Sequence, residues 1–127
     1  KNTIRSPLGR ARGLGSAKDG AHHWWVQRLS AMAMIPPMIF LLCNIDRLVS
    51  PDHAALLVWL EQPLPAMALI LFILTSFYHA ALGIQVIIED YIHCEGAKFF
   101  YLILNKLFFF FTGFAAIFAV IRLNFGI

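Results

Sequence analysis

The stretch that decides the fold is LPAMALILFILTSFYHAALGIQVIIEDY, Leu64–Tyr91. From Leu64 to Ile88 it is apolar except for Thr75, Ser76, Tyr78, His79 and Gln85. A helix rises about 1.5 Å per residue, so about 20 such residues cross the roughly 30 Å of hydrocarbon in a bilayer. The segment is long enough to span a membrane and too apolar to lie comfortably on a water-facing surface.

Two further spans flank it. After a short polar link, Glu89 to Lys98, the chain turns apolar again from about Phe100 to Ile121, including Phe108-Phe109-Phe110-Phe111. That third helix is expected to face lipid over much of its surface and shows no site chemistry. On the other side, Asn44 to Gln62 carries Asp46, Arg47, Pro51, Asp52, His53 and Glu61, a polar connection with room for a short interfacial helix around Ala54 to Trp59. Before it, Leu29 to Cys43 is interrupted only by small or apolar residues and by Pro36-Pro37. Each proline removes a backbone donor, so a kink is expected there, of the kind membrane helices tolerate. The reading is all-α: an integral membrane bundle of three transmembrane helices at about 24–48, 64–90 and 99–122, belonging to a larger heteromeric helix bundle. Residues 1–22 form a basic inner-side tail and residues 23–127 the membrane anchor.

Composition agrees. Of 127 residues, 60% are hydrophobic and 13% charged, where a soluble domain carries about a quarter charged. The formal charge is +3, and six of the ten basic residues lie at Lys1, Arg5, Arg10, Arg12, Lys18 and Arg28. Because this basic head runs straight into an apolar helix, it suits a membrane surface rather than nucleic acid. With Lys98 on the same side and only Arg47 and Arg122 opposite, the positive-inside rule puts the tail in the cytoplasm or matrix and the C-terminus on the far side. Lys1 in place of Met is expected to mark processing or an incomplete chain, and the first helix is read as a retained span, not a removable signal. Cys43 and Cys94 form no metal or redox spacing and are read as reduced thiols.

Few residues can carry chemistry. His79 lies near the middle of the second span, where an ionisable side chain is costly and suggests function. Imidazole is a common haem-iron ligand, and Ala80 and Gly83 leave room beside the helix for a flat macrocycle; the plainer alternative is a histidine hydrogen-bonded across the bundle. No second histidine sits at matching depth, since His53 and His93 lie in loops, so a second axial ligand would come from a partner chain. Asp90 is eleven residues from His79, about three turns and 16 Å along a continuing helix. Asp90 and Tyr91 would then sit near the inner headgroups, where a phenol can donate to a quinone carbonyl and a carboxylate can assist proton delivery. They can equally be an interfacial anchor beside a solvated acid. Arg28, preceded by His22, His23, Trp24 and Trp25, can pair with a carboxylate, a haem propionate or a lipid phosphate, or simply snorkel.

Taken together, Gly20-Ala21-His22 with Arg28-Leu29-Ser30-Ala31, and His79-x3-Gly83-x6-Asp90-Tyr91, resemble the smaller membrane-anchor family of succinate dehydrogenase, the cytochrome b small subunit of the succinate:quinone oxidoreductase, respiratory complex II. The resemblance covers nearly the whole chain. The sister anchor, the other cytochrome b subunit, typically continues its haem motif with G-x-R-H, whereas here Gly83 is followed by Ile84, Gln85 and Val86.

The resemblance implies that His79 is one axial ligand of a b-type haem, opposite a histidine of the sister anchor. Tyr91 would donate to a ubiquinone carbonyl and Asp90 orient that site or assist protonation, with Arg28 and His22 (His23 being adjacent) near the haem propionates. Partners would be the succinate dehydrogenase flavoprotein subunit with FAD, the iron–sulfur subunit and the sister cytochrome b anchor, in a bacterial inner or mitochondrial inner membrane. The chain has no succinate site, flavin motif or cluster motif, so it is not expected to be catalytic alone. Two rivals are a purely structural anchor without haem and a small transporter subunit, although the spans hold too few polar residues to line an aqueous path.

Overall fold

In a computed structural model, residues 14–126 are described, with side chains from Ala21 onward. They form five helices: α1 (Leu14–Cys43), α2 (Ile45–Leu48), α3 (His53–Leu60), α4 (Pro63–Tyr91) and α5 (Glu95–Phe125). Three of them, α1 from Ala21, α4 and α5, are long and apolar enough to cross a membrane. The all-α, three-span expectation therefore holds. Helix α1 starts earlier than the expected position 24 and stops at Cys43 rather than near 48, while α5 extends past both of its expected ends. The basic positions before Leu14 lie outside the described residues.

Local chemistry explains most of the boundaries. At Asn44 the side-chain amide donates back to the Phe40 carbonyl at 2.8 Å, which closes α1 and lets one separate turn, α2, follow. Asp52 caps α3, its carboxylate accepting from the backbone N–H of Ala54 and Ala55. Pro63 begins α4, where a missing N–H costs nothing. Gly126, at φ 74°, takes the left-handed conformation that ends α5. The helix α1 runs uninterrupted through Pro36-Pro37.

Packing follows a seam. On α1, His23, Gln27, Ser30, Met34, Pro37 and Leu41 are all partly or fully buried, spaced alternately four and three residues apart. Such spacing lays one stripe along a helix against its neighbour. The neighbour is α4, which packs on α1 along one side and α5 along the other; among the described residues α1 and α5 do not pack on each other. The long helices thus form an open row with α4 in the middle.

The densest packing lies at the end where α3 folds over, with Leu41, Trp59, Leu60 and Ala68 buried together and Phe40 stacked on Trp59. Asn124 ties this end shut, its amide donating to the carbonyls of Leu60, Glu61 and Gln62 at the C-terminus of α3. Elsewhere the row keeps wide apolar faces, including Leu42, Leu71, Phe110 and Phe114, each at least half exposed.

Hydroxyls within the spans mostly satisfy themselves: Thr75 and Thr112 each donate to the carbonyl four residues back. Only two side-chain hydrogen bonds join the long helices among the described residues. Asn105 on α5 donates to the Ala81 carbonyl of α4 at 3.0 Å, and Ser30 on α1 meets His79 of α4 at 2.9 Å.

Close approach of α4 and α5 depends on Gly113, where an added Cβ would stand 3.2 Å from the Phe77 ring. Replacing Gly113 by Leu is expected to destabilise the pair by about 1–3 kcal/mol through overpacking, seen as a lower unfolding midpoint of detergent-solubilised protein.

Candidate redox and quinone site

His79 sits on α4, half-buried, facing α1. Its Nδ1 lies 2.9 Å from Ser30 Oγ, and that hydroxyl lies 2.9 Å from the Gln27 carbonyl of its own helix. Ser30 is only 7% exposed, so the contact is sheltered from competing solvent. The other ring nitrogen, Nε2, has no hydrogen-bond partner among the described residues and is not among the buried unpartnered atoms. One nitrogen is therefore tethered while the other stays open. Beside it, one turn along α4, Gly83 would direct a Cβ into open space, with no atom within 4 Å. Of the two small neighbours expected from sequence, Gly83 borders open space.

Toward the N-terminus the α1 seam continues with more polar groups. His23 Nε2 and Gln27 Oε1 are buried without a hydrogen-bond partner. Buried polar atoms cost free energy unless paired, so both are places where water or a group from another molecule belongs. His22, one position away, is exposed, as is Arg28. The Arg28 guanidinium lies 5.2 Å from the Trp24 ring centroid, a cation–π placement typical of a side chain held at an interface.

Asp90 and Tyr91 form the last turn of α4, which is helical through Tyr91. The helix is unbroken from His79, so their axial separation is about 16 Å. Asp90 is exposed and Tyr91 is 76% exposed. Nothing else in the described chain covers the phenol. The described chain thus presents one imidazole nitrogen without a hydrogen-bond partner within the row and one uncovered acid–phenol pair at its end. Among the described residues no three His, Cys, Asp or Glu side chains converge on a metal-sized point. Any metal at His79 would need its remaining ligands from elsewhere.

A separate hollow is a different feature. A trough of about 440 Å³ runs between α4 and α5, lined by Phe77, Tyr78, Gln85, Asn105, Lys106 and Phe110 among others, and His79 is not part of it. Its walls are almost wholly apolar, which suits an acyl chain better than redox chemistry. Sequence reading assigns no site chemistry to α5 and gives Lys106 no part in the charge asymmetry. The signal is present as Asn105-Lys106, a polar pair inside an otherwise apolar helix. Asn105 turns out to be buried and to cross-link the two helices. Ser30 enters the sequence reading only as part of a motif, and its contact with a residue 49 positions away carries no mark in the local sequence.

Comparison with known proteins adds a direct finding. Residues 2–116 match the family model for the succinate dehydrogenase/fumarate reductase transmembrane subunit. The chain is 38% identical over 117 residues to a succinate dehydrogenase hydrophobic membrane anchor subunit of Rickettsia bellii, covering 92% of this chain and 94% of the relative. It is similar to the proteins of the same description from Rickettsia conorii, at 31% identity over 83% of this chain and 84% of the relative, and from Paracoccus denitrificans, at 28% over 95% and 93%. No solved structure gives a significant match.

The open strip at Gly83 generates a stability test. Gly83→Ala meets no neighbour, so it is expected to raise the unfolding midpoint or leave it unchanged, by up to about 1 kcal/mol from helix propensity alone. A clear loss of stability would show that the strip is closed in the free chain.

Proposed function

The chain belongs to the succinate dehydrogenase/fumarate reductase transmembrane subunit family, as a hydrophobic membrane anchor subunit of succinate dehydrogenase, and from that premise we propose that it binds b-type haem through His79 and completes a ubiquinone-reduction site with Tyr91 and Asp90. The observation that carries this reading is the state of His79: tethered at Nδ1, open at Nε2, and flanked by the clear strip at Gly83.

These residues fit the group. Neutral imidazole with one nitrogen hydrogen-bonded and the other free is the form in which histidine ligates iron. A b-type haem held by His79 would supply a one-electron store. A second ligand would come from the sister cytochrome b anchor. Arg28 and His22, both exposed at the inner end of α1, are assigned to the propionates, where a guanidinium pairs with carboxylates in a planar, two-point fashion.

At the end of α4, the Tyr91 phenol donates a hydrogen bond to a quinone carbonyl, which holds the ring in place and stabilises the oxygen as it gains negative charge. Asp90, reachable by water, orients this donor and assists delivery of the protons that reduction of a quinone to a quinol requires. The exposure of both residues supports a pocket completed by other subunits. Those partners are the flavoprotein subunit, which holds FAD and oxidises succinate, the iron–sulfur subunit, which passes electrons on, and the sister cytochrome b anchor. The basic tail lies on the cytoplasmic or matrix side in this reading, and the anchor resides in a bacterial inner or mitochondrial inner membrane. Functionally, the chain divides into a tail at 1–22 and an anchor at 23–127.

One observation favours a second reading. Ser30 already satisfies His79, as it would in a purely structural anchor without haem. The two diverge in the purified complex. His79→Ala is expected to abolish the b-type absorbance band on reduction, together with the matching haem and iron content; an unchanged band leaves only the structural anchor. Tyr91→Phe is expected to lower kcat/KM for quinone about tenfold, equivalent to about 1.4 kcal/mol, with haem content unaltered. Unchanged quinone kinetics would remove the donor role from Tyr91.

A further inference from the structure

The two short contacts at Ser30 favour one arrangement of protons. A serine hydroxyl has a single hydrogen. The Gln27 carbonyl, 2.9 Å from Ser30 Oγ, can only accept, so that hydrogen belongs to it. Were Ser30 instead to point its proton at His79, two oxygens would face each other at that distance with no hydrogen between them. Towards His79 Nδ1, also 2.9 Å away, the hydroxyl oxygen must therefore accept, and the ring must donate. In the neutral ring, Nδ1 then carries the proton and the lone pair is left on Nε2.

We propose that Ser30 is the positioning residue for His79: it fixes the Nδ1–H tautomer, sets the plane of the ring, and so presents Nε2 as the iron-binding nitrogen. This inference rests on the haem reading above and goes further, because it assigns a function to a side chain on a different helix. The relay runs from His79 Nδ1–H to Ser30 Oγ and from Ser30 Oγ–H to the Gln27 carbonyl. A carbonyl four residues before the ring on α4 would do the same work only with the ring folded back along its own helix. Ser30 holds it across the gap, on the seam between α1 and α4. With 7% of its surface exposed, Ser30 gives the ring a fixed acceptor in place of mobile water. An Nδ1–H that donates makes the imidazole more electron-rich, which favours the ferric state and ties the ligand's orientation to the α1–α4 packing.

The test uses the whole complex carrying Ser30→Ala or Ser30→Thr. With Ser30→Ala, the haem is expected to show altered low-spin EPR g-values, a more positive midpoint potential and about tenfold faster haem loss. Ser30→Thr, which keeps the hydroxyl, is expected to restore all three. If Ser30→Ala leaves g-values, potential and haem retention unchanged while His79→Ala removes the haem, the positioning role is wrong and the ligand assignment stands. A wild-type complex without b-type haem overturns the functional reading and this inference together. Should the Ser30→Ala complex fail to assemble, the wild-type complex decides: in its reduced, diamagnetic form, the ¹⁵N signals lost in a His79→Gln complex are expected to show Nδ1 protonated. A protonated Nε2 overturns the proposal.

Discussion

Inside hydrocarbon there is no water to take up a polar atom that the protein leaves unpaired, and each such atom costs several kcal/mol. A chain this apolar can afford few polar groups in its spans, and where each one finds its partner then determines how the helices meet. Threonines turn back onto their own helices. Ser30, which also donates to its own helix, reaches across as well, as do His79 and Asn105, and these three supply the only side-chain hydrogen bonds between the long helices among the described residues. The two bonds link α4 to its neighbours, one on either side.

This makes α4 the spine of the molecule. It alone touches both other spans, and the row it organises stays open, with large apolar faces exposed. In water such a surface would aggregate; in a membrane it meets lipid or the helices of other subunits. The end packed by α3 is closed by Trp59, Leu60 and the Asn124 tether. The opposite end holds the unpartnered atoms of His23 and Gln27 and the uncovered Asp90–Tyr91 turn. A subunit that is self-sufficient at one end and incomplete at the other is built for assembly from the incomplete end.

The same rigidity serves the proposed chemistry. A single unbroken helix holds His79 and Asp90–Tyr91 at a separation of about 16 Å, so a redox centre at one and a quinone at the other would keep a constant spacing. Tethering His79 from α1 rather than from α4 joins the orientation of a ligand to the packing of two helices. Local fraying at the C-terminal end of α4 would then leave the ring in place.

Much of this was legible in the residues alone. Three apolar segments of membrane length, the proline at the start of α4 and the eleven-residue step from His79 to Asp90 depend on helical geometry and transfer free energy, which act locally and leave a periodic trace. The ends of α1 were less legible, because a carbonyl bond from Asn44 closes the helix earlier than its hydropathy would suggest. Contacts between segments were not legible at all. That Ser30 would face His79, that Asn105 would reach Ala81, and that α1 and α5 would stay apart depend on the rotation of each helix about its axis. Rotation is decided by how side chains of neighbouring helices interlock, and no single helix carries that information by itself. The sequence determined a three-span anchor with one histidine inside its second span; only the tertiary structure decided which of that histidine's nitrogens is held and which is free.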